Sequence, residues 1–211
     1  MRENGSFHKI TSAILAGGQS SRMGQPKEGV VMWDGRPMMA HMLDVLRPIS
    51  SKIVIIGKCN GFSVPNEPNI IHLQDRHPGH GPLSALDALL ASDLAHRYLV
   101  VSCDQPLLNP KLLNQLVSTV GGFAFFRTKS GIRLDPFPGI YPSWLLSAVE
   151  SALSHRALSI RDLINRHAPR WITLPEQTLS HFANVNTPDA LIAVGEYMQK
   201  LGLHYNEPVV N

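Results

Sequence analysis

Four short, unbroken apolar runs constrain this chain more than any other feature: "AIL" at 13–15, "IVIIG" at 53–57, "YLVV" at 98–101 and "FAFF" at 123–126. A strand wetted on one face alternates apolar and polar residues, whereas a strand covered on both faces has no need of polar positions. The runs therefore predict a sheet buried between two helical layers. Strands are expected over 10–15, 53–57, 70–74, 98–103, 122–127, 170–174 and 182–185. Amphipathic segments predict helices over 37–50, 83–96, 110–120, 143–155, 160–166 and 188–201. Asn109-Pro110 and Thr187-Pro188-Asp189 each set a capping side chain before a proline suited to the first helical turn. Such alternation defines an α/β chain with a Rossmann-like, doubly wound, mostly parallel sheet and helices on both faces. In these sheets ligands sit beyond the carboxyl ends of the strands, so residues just after strands carry the functional weight.

The 211 residues suffice for one domain, expected over 10–202, with a flexible segment at 1–9 and a tail at 203–211. The net charge of +3, without a Lys/Arg run, suits a phosphorylated ligand and gives no case for nucleic acid. Cys59 and Cys103 match no zinc or disulfide spacing, and Cys103 behind "YLVVS" reads as a buried, reduced thiol. No apolar stretch is long enough to span a bilayer and the first residues have no signal-peptide core, so a cytoplasmic location without membrane partners is expected.

The first strand runs straight into "AGGQSSRMGQPK". Gly17 and Gly18 let backbone N–H groups close on a ligand, and successive N–H groups make an anion-binding nest. Arg22 and Lys27 add fixed positive charge, the first as a planar fork and the second as a mobile point charge. The spacing is neither that of a Walker A loop nor the G-x-G-x-x-G fingerprint. Two glycines alone would suggest a plain turn; with Arg22 and Lys27 in the same strand exit, a nucleoside triphosphate site is the better reading.

Asp104 follows a second buried strand in "YLVVSCDQPLL". There it is either a turn or helix-capping residue or a ligand for a hard cation such as Mg²⁺, which takes one or two carboxylates with phosphate oxygens and water. Asn184 and Asn186 in "FANVNTPDAL" either shape a turn or bind a ligand edge. Asp75 in "QDRHPGHGPLSAL" stands at another strand exit, where a carboxylate matches the paired N–H donors of guanine. The neighbouring His77 and His80 match no standard zinc spacing, and no function attaches to His72.

"LAGGQSSRMGQPK" resembles the signature of small nucleotidyltransferases. Taken in order with "GPLSAL", "CDQPLL", "LDPFPGIY" and "NVNTPDAL", it is similar to the molybdenum cofactor guanylyltransferases, the MobA type. The resemblance runs from about Ile10 to Leu191 and implies a nucleotide-diphospho-sugar transferase-like fold. It implies transfer of GMP from Mg-GTP to the phosphate of molybdopterin, with pyrophosphate released and cofactor-delivery or acceptor proteins as further partners. Carried over by motif, Leu15, Ala16, Gly17, Gly18 and Lys27 bind GTP, and Asp75 contacts the nucleotide. Asp104 binds GTP and Mg²⁺, Arg22, Lys27 and Asp104 act in catalysis, and Asn184 and Asn186 lie near the acceptor side. Gln25-Pro26-Lys27 and "CDQP" lean toward the cytidylyl branch acting on the same pterin. A cytidylyl or sugar-phosphate nucleotidyltransferase is therefore the alternative, and a nucleotide-binding regulator without catalysis is the alternative of another class.

Overall fold

The apolar runs become the central strands of a seven-stranded sheet. The structure, a computed structural model, describes residues 9–16 and 23–200. Residues 1–8 of the expected flexible start and the whole expected tail, together with Gly17, Gly18 and Arg22, lie outside the described residues. The elements are β1 (Ile10–Leu15), α1 (Met38–Leu46), β2 (Ser50–Ile56), β3 (Ile70–Leu73), α2 (Pro82–Ala91), β4 (Arg97–Ser102) and α3 (Pro110–Val117). They continue with β5 (Ala124–Thr128), β6 (Gly139–Pro142), α4 (Leu146–Ser154), α5 (Ile160–Arg166), β7 (Arg170–Leu174) and α6 (Pro188–Lys200). The strand order is β3-β2-β1-β4-β6-β5-β7, parallel except where β6 runs against β4 and β5.

Successive residues of the central strands feed opposite cores, as the strand's two-residue period demands. Ile14, Ile53, Ile55, Leu99 and Val101 meet α1 and α3 on one face. Ala13, Val54, Ile56, Tyr98 and Val100 meet α2, α4 and α5 on the other. A third, smaller cluster joins Val30, Met32 and Met38 to Leu107, Val185 and Val194 of α6. It seats the segment that follows the first loop. Both expected caps are present: Asn109 Oδ1 accepts from Leu112 N at 2.9 Å, and Thr187 Oγ1 from Ala190 N at 3.2 Å. Among the described residues no helix is long and apolar enough to cross a membrane.

The fold departs from the sequence reading in several places. The helix expected over 37–50 stops at Leu46, because β2 already begins at Ser50, whose hydroxyl lies 2.6 Å from that of Ser12. The helix expected over 83–96 stops at Ala91: Ser92 Oγ donates back to Leu89 O at 2.6 Å, and Asp93 turns to φ 51°. Residues 182–185 form no strand. Phe182 ends a 3-10 helix (Glu176–Phe182), the next three residues are irregular, and Val185 N donates to the carbonyl of Asp104 at 2.8 Å.

β6 was not expected, because "PFPGIYP" carries the punctuation of a loop. Packing explains the glycine. A Cβ at Gly139 would overlap the Phe125 ring and sit 2.8 Å from the Pro136 carbonyl oxygen, and Phe125 is itself buried. Gly139→Ala should therefore cost about 1–3 kcal/mol in urea unfolding, the usual cost of overpacking. Adding Phe125→Leu should recover part of that loss, since the clash with the carbonyl persists.

Candidate active site

β1 is flanked by β2 on one side and β4 on the other, so the order of connection reverses between β1 and β4. A crevice opens at such a reversal beyond the strand ends. Leu15 and Ser102 are register partners at its rim, and Ala16 is held by a 2.8 Å bond from its N to Ile56 O. Asp104 lies two residues past β4 and is nearly buried. It caps no helix, since Asn109 caps α3. Its Oδ1 accepts from Ser102 Oγ at 2.5 Å, and its Oδ2 lies 2.9 Å from Lys27 Nζ.

Lys27 opens a 3-10 turn (Lys27–Gly29). The turn is pressed so close to the β2 exit loop that a Cβ on Gly29 would collide with the backbone of Gly61. Its ammonium also donates to Asn186 Oδ1. The bond from Val185 N to Asp104 O brings Asn186 there, by tying 183–186 to the end of β4. Asp104 and Asn186, 77 and 159 positions along the chain from Lys27, thus converge on its ammonium. The Lys27 and Asp104 side chains are only 19% and 10% exposed, so this pair is far better shielded than a surface salt bridge.

Asn184 points elsewhere. Its Nδ2 donates to Asp135 Oδ2 at 3.0 Å, and Asp135 Oδ1 meets Arg161 Nη2 at 2.7 Å. With Asp104, Gln105 and Phe137 these residues line a cleft of about 310 Å³. Gln105 is buried; its Nε2 donates to Phe137 O at 3.1 Å, which leaves its Oε1 without a partner. Asp135, Arg161 and Gln105 escaped the sequence reading. "LDPFPGIY" and "CDQPLL" contained two of them unremarked, and nothing in "LSIRDLI" distinguishes Arg161 from a surface arginine.

Asp75 stands apart from the Lys27–Asp104 group, on the β3–β2 flank of the crevice. Gly57, at the exit of β2, takes φ 103°, and a Cβ there would collide with the Ala16 carbonyl and lie 4.0 Å from Asp75 Oδ2. His72 Nε2 donates to the Gly57 carbonyl at 2.7 Å, so this histidine braces the turn. Asp75 Oδ1 is buried without a hydrogen bond, and burial pushes its carboxyl above the ordinary carboxylate range. Burial, then the nearby Asp104 and Glu28 carboxylates, push the Cys103 thiol far up, so it remains protonated.

The fold and the site define a Rossmann-like NTP transferase. The chain belongs to the MobA-like NTP transferase domain family, whose model matches residues 12–171. It is 29% identical over 186 residues to the probable molybdenum cofactor guanylyltransferase of Flavobacterium johnsoniae, covering 86% of this chain and 94% of that one. It is 31% identical over 184 residues to the molybdenum cofactor guanylyltransferase of Xanthomonas euvesicatoria pv. vesicatoria, covering 85% and 90% respectively. Among solved structures it resembles molybdopterin-guanine dinucleotide biosynthesis protein A from Archaeoglobus fulgidus, with a TM-score of 0.71 at 20% identity over 90% of this chain and all of that one. A similar fold, TM-score 0.64 at 13% identity over 91% of this chain and 100% of that one, occurs in 2-C-methyl-D-erythritol 4-phosphate cytidylyltransferase from Thermus thermophilus.

Asp75 makes the site detectable through pH. Its folded-state pKa is raised, so the native state holds the proton more tightly than the unfolded chain. Stability is therefore lost as pH rises through the window above 3.8. Asp75→Asn should raise the melting temperature at pH 7, and calorimetry should show that gain shrinking as the pH falls toward 3.8.

Proposed function

We propose that this chain transfers GMP from GTP to the phosphate of molybdopterin and releases pyrophosphate. The supporting observation is the convergence of Lys27 Nζ, Asp104 Oδ2 and Asn186 Oδ1 at the β1–β4 reversal. The names borne by the relatives supply the guanine nucleotide and the pterin.

The donor set fits a hard divalent cation. Asp104 and Asn186 direct two oxygens at one cationic centre, and Mg²⁺ favours such oxygens together with phosphate and water. Asp104, with Asn186 beside it, would hold Mg²⁺, which when bound neutralises charge on the α-phosphate and the departing pyrophosphate. Lys27 exchanges its protein partners for phosphate oxygens when the nucleotide arrives, which frees the Asp104 oxygen. Leu15 and Ala16 stand at the strand end beside the triphosphate, and the family motif assigns Gly17, Gly18 and Arg22 to the same ligand. Asp75 offers its unpartnered oxygen to the N–H donors of guanine.

On the other side, Asn184, Asp135, Arg161 and the free Gln105 Oε1 face the acceptor in the cleft next to Asp104. The attacking phosphate oxygen is already anionic near neutral pH, so no strong general base is required. Catalysis is then positioning with charge neutralisation. The reaction belongs in the cytoplasm, where cofactor-delivery or acceptor proteins take up the product.

Protein mixed with GTP, Mg²⁺ and molybdopterin should yield the guanine dinucleotide by mass spectrometry together with pyrophosphate. Dinucleotide from CTP and none from GTP would move the reading to the cytidylyl alternative, while GTP binding without pyrophosphate release would leave a regulator. Asp104→Asn should lower turnover about 10²- to 10³-fold, the usual effect of removing one transition-state charge partner. Because Lys27 occupies Asp104, Mg²⁺ alone should leave the melting temperature unchanged, whereas Mg²⁺ with GTP should raise it above the value with GTP alone.

A further inference from the structure

Among the described residues, one carboxylate is fully buried and unused by the chemistry above. Asp87, in the second turn of α2, is 0% exposed, and neither of its oxygens makes a hydrogen bond. A buried carboxylate is costly unless cations compensate it. Two cations approach its Oδ2, Arg76 Nη1 at 3.2 Å and His77 Nε2, when protonated, at 3.6 Å. Both come from the two residues that directly follow Asp75. The same loop is tied to the same helix face a third time, since His77 N donates to Ser84 Oγ at 3.0 Å. Arg76 reaches on toward Glu150 of α4 at 3.9 Å. His80 closes the loop on itself, with Nδ1 donating to His77 O at 3.2 Å.

The arrangement is poorly suited to stability alone. Arg76 and His77 are about half exposed, at 47% and 49%, and water screens their attraction. A leucine at 87 would join the apolar cluster around Leu83, Leu86 and Leu90 with no charge to desolvate. What the contacts do fix is where the chain goes after β3. Asp75 sits at that exit with an unpartnered oxygen, one peptide bond before Arg76.

We propose that Asp87 is a positioning residue for nucleotide recognition: through Arg76 and His77 it clamps the 75–81 loop to α2 and so fixes Asp75 for the base. This rests on the nucleotidyl-transfer reading and specifies what sets base affinity within it. Asp87 touches neither substrate nor the reacting phosphates. Its loss acts on binding and on discrimination between bases, and it spares the transfer step.

The test compares wild type with Asp87→Asn and Arg76→Gln by calorimetric titration of GTP and of CTP, alongside KM and kcat. Each variant should weaken GTP binding and raise its KM about tenfold, narrow the GTP-over-CTP preference, and leave kcat within about twofold. The double variant should be little worse than either single one, because both remove the same clamp. Asp87→Glu, which keeps the charge, should regain part of the affinity. Arg76 is half exposed, so its variant carries the test should Asp87→Asn fail to fold. GTP affinity equal to wild type in both variants, or a fall in kcat with KM unchanged, overturns the positioning role alone. A wild-type protein that binds neither nucleotide overturns the functional reading and this inference with it.

Discussion

The ion pair between Lys27 and Asp104 governs the arrangement of the whole crevice. Two largely shielded charges, 2.9 Å apart, attract far more strongly than the same pair in water, and each stranded alone would be expensive. The pair therefore holds together three segments that are remote in sequence: the turn after the first loop, the exit of β4, and the 183–186 stretch through Asn186. It also stores the site's electrostatics in a form that phosphate can use. In the proposed reaction a triphosphate would draw Lys27 to its oxygens and leave the Asp104 carboxylate to a divalent cation.

The inserted antiparallel strand divides the labour of the site. The groups proposed to face the nucleotide come from the parallel half, at the exits of β1, β2 and β3, where every strand points the same way and successive strand ends form one rim. The groups proposed to face the acceptor depend on β6. Because it runs against β4, the chain entering it passes the exit of β4 and delivers Asp135 and Phe137 beside Gln105 and α5. Without that reversal Asp135 would lie at the opposite end of the sheet.

This division also decides what could be read in advance. Uninterrupted apolar runs and proline-flanked caps report local physics, burial on two faces and helix initiation, and they located β1, β4 and the starts of α3 and α6. Lys27 and Asp104 were legible because strand exits in a parallel sheet share one side, whatever the details. Asp135, Arg161 and Gln105 meet only through the antiparallel insertion, and β6 hid behind "PFPGIYP", where Gly139 is required by the Phe125 ring and not by a turn. Asn184 and Asn186 could be placed together in sequence. Their divergence, one to Asp135 and one to Lys27, follows from the main-chain bond of Val185 between them.

The buried oxygens that lack hydrogen bonds among the described residues belong to four side chains: Glu28, Asp75, Asp87 and Gln105. Such groups are few in native proteins, and each is a cost that packing elsewhere must offset. All four here border the crevice or its bracing: Glu28 follows Lys27, Gln105 follows Asp104, Asp75 ends β3, and Asp87 faces the loop after Asp75. Three of the four are carboxylates, so the unmet demand is for positive charge and for N–H or O–H donors. A fold selected for stability alone would scatter or remove these positions. Asp87 is answered from within the chain, by Arg76 and His77, whereas Asp75 and Gln105 stand where the proposed nucleotide and acceptor would bring the donors they lack.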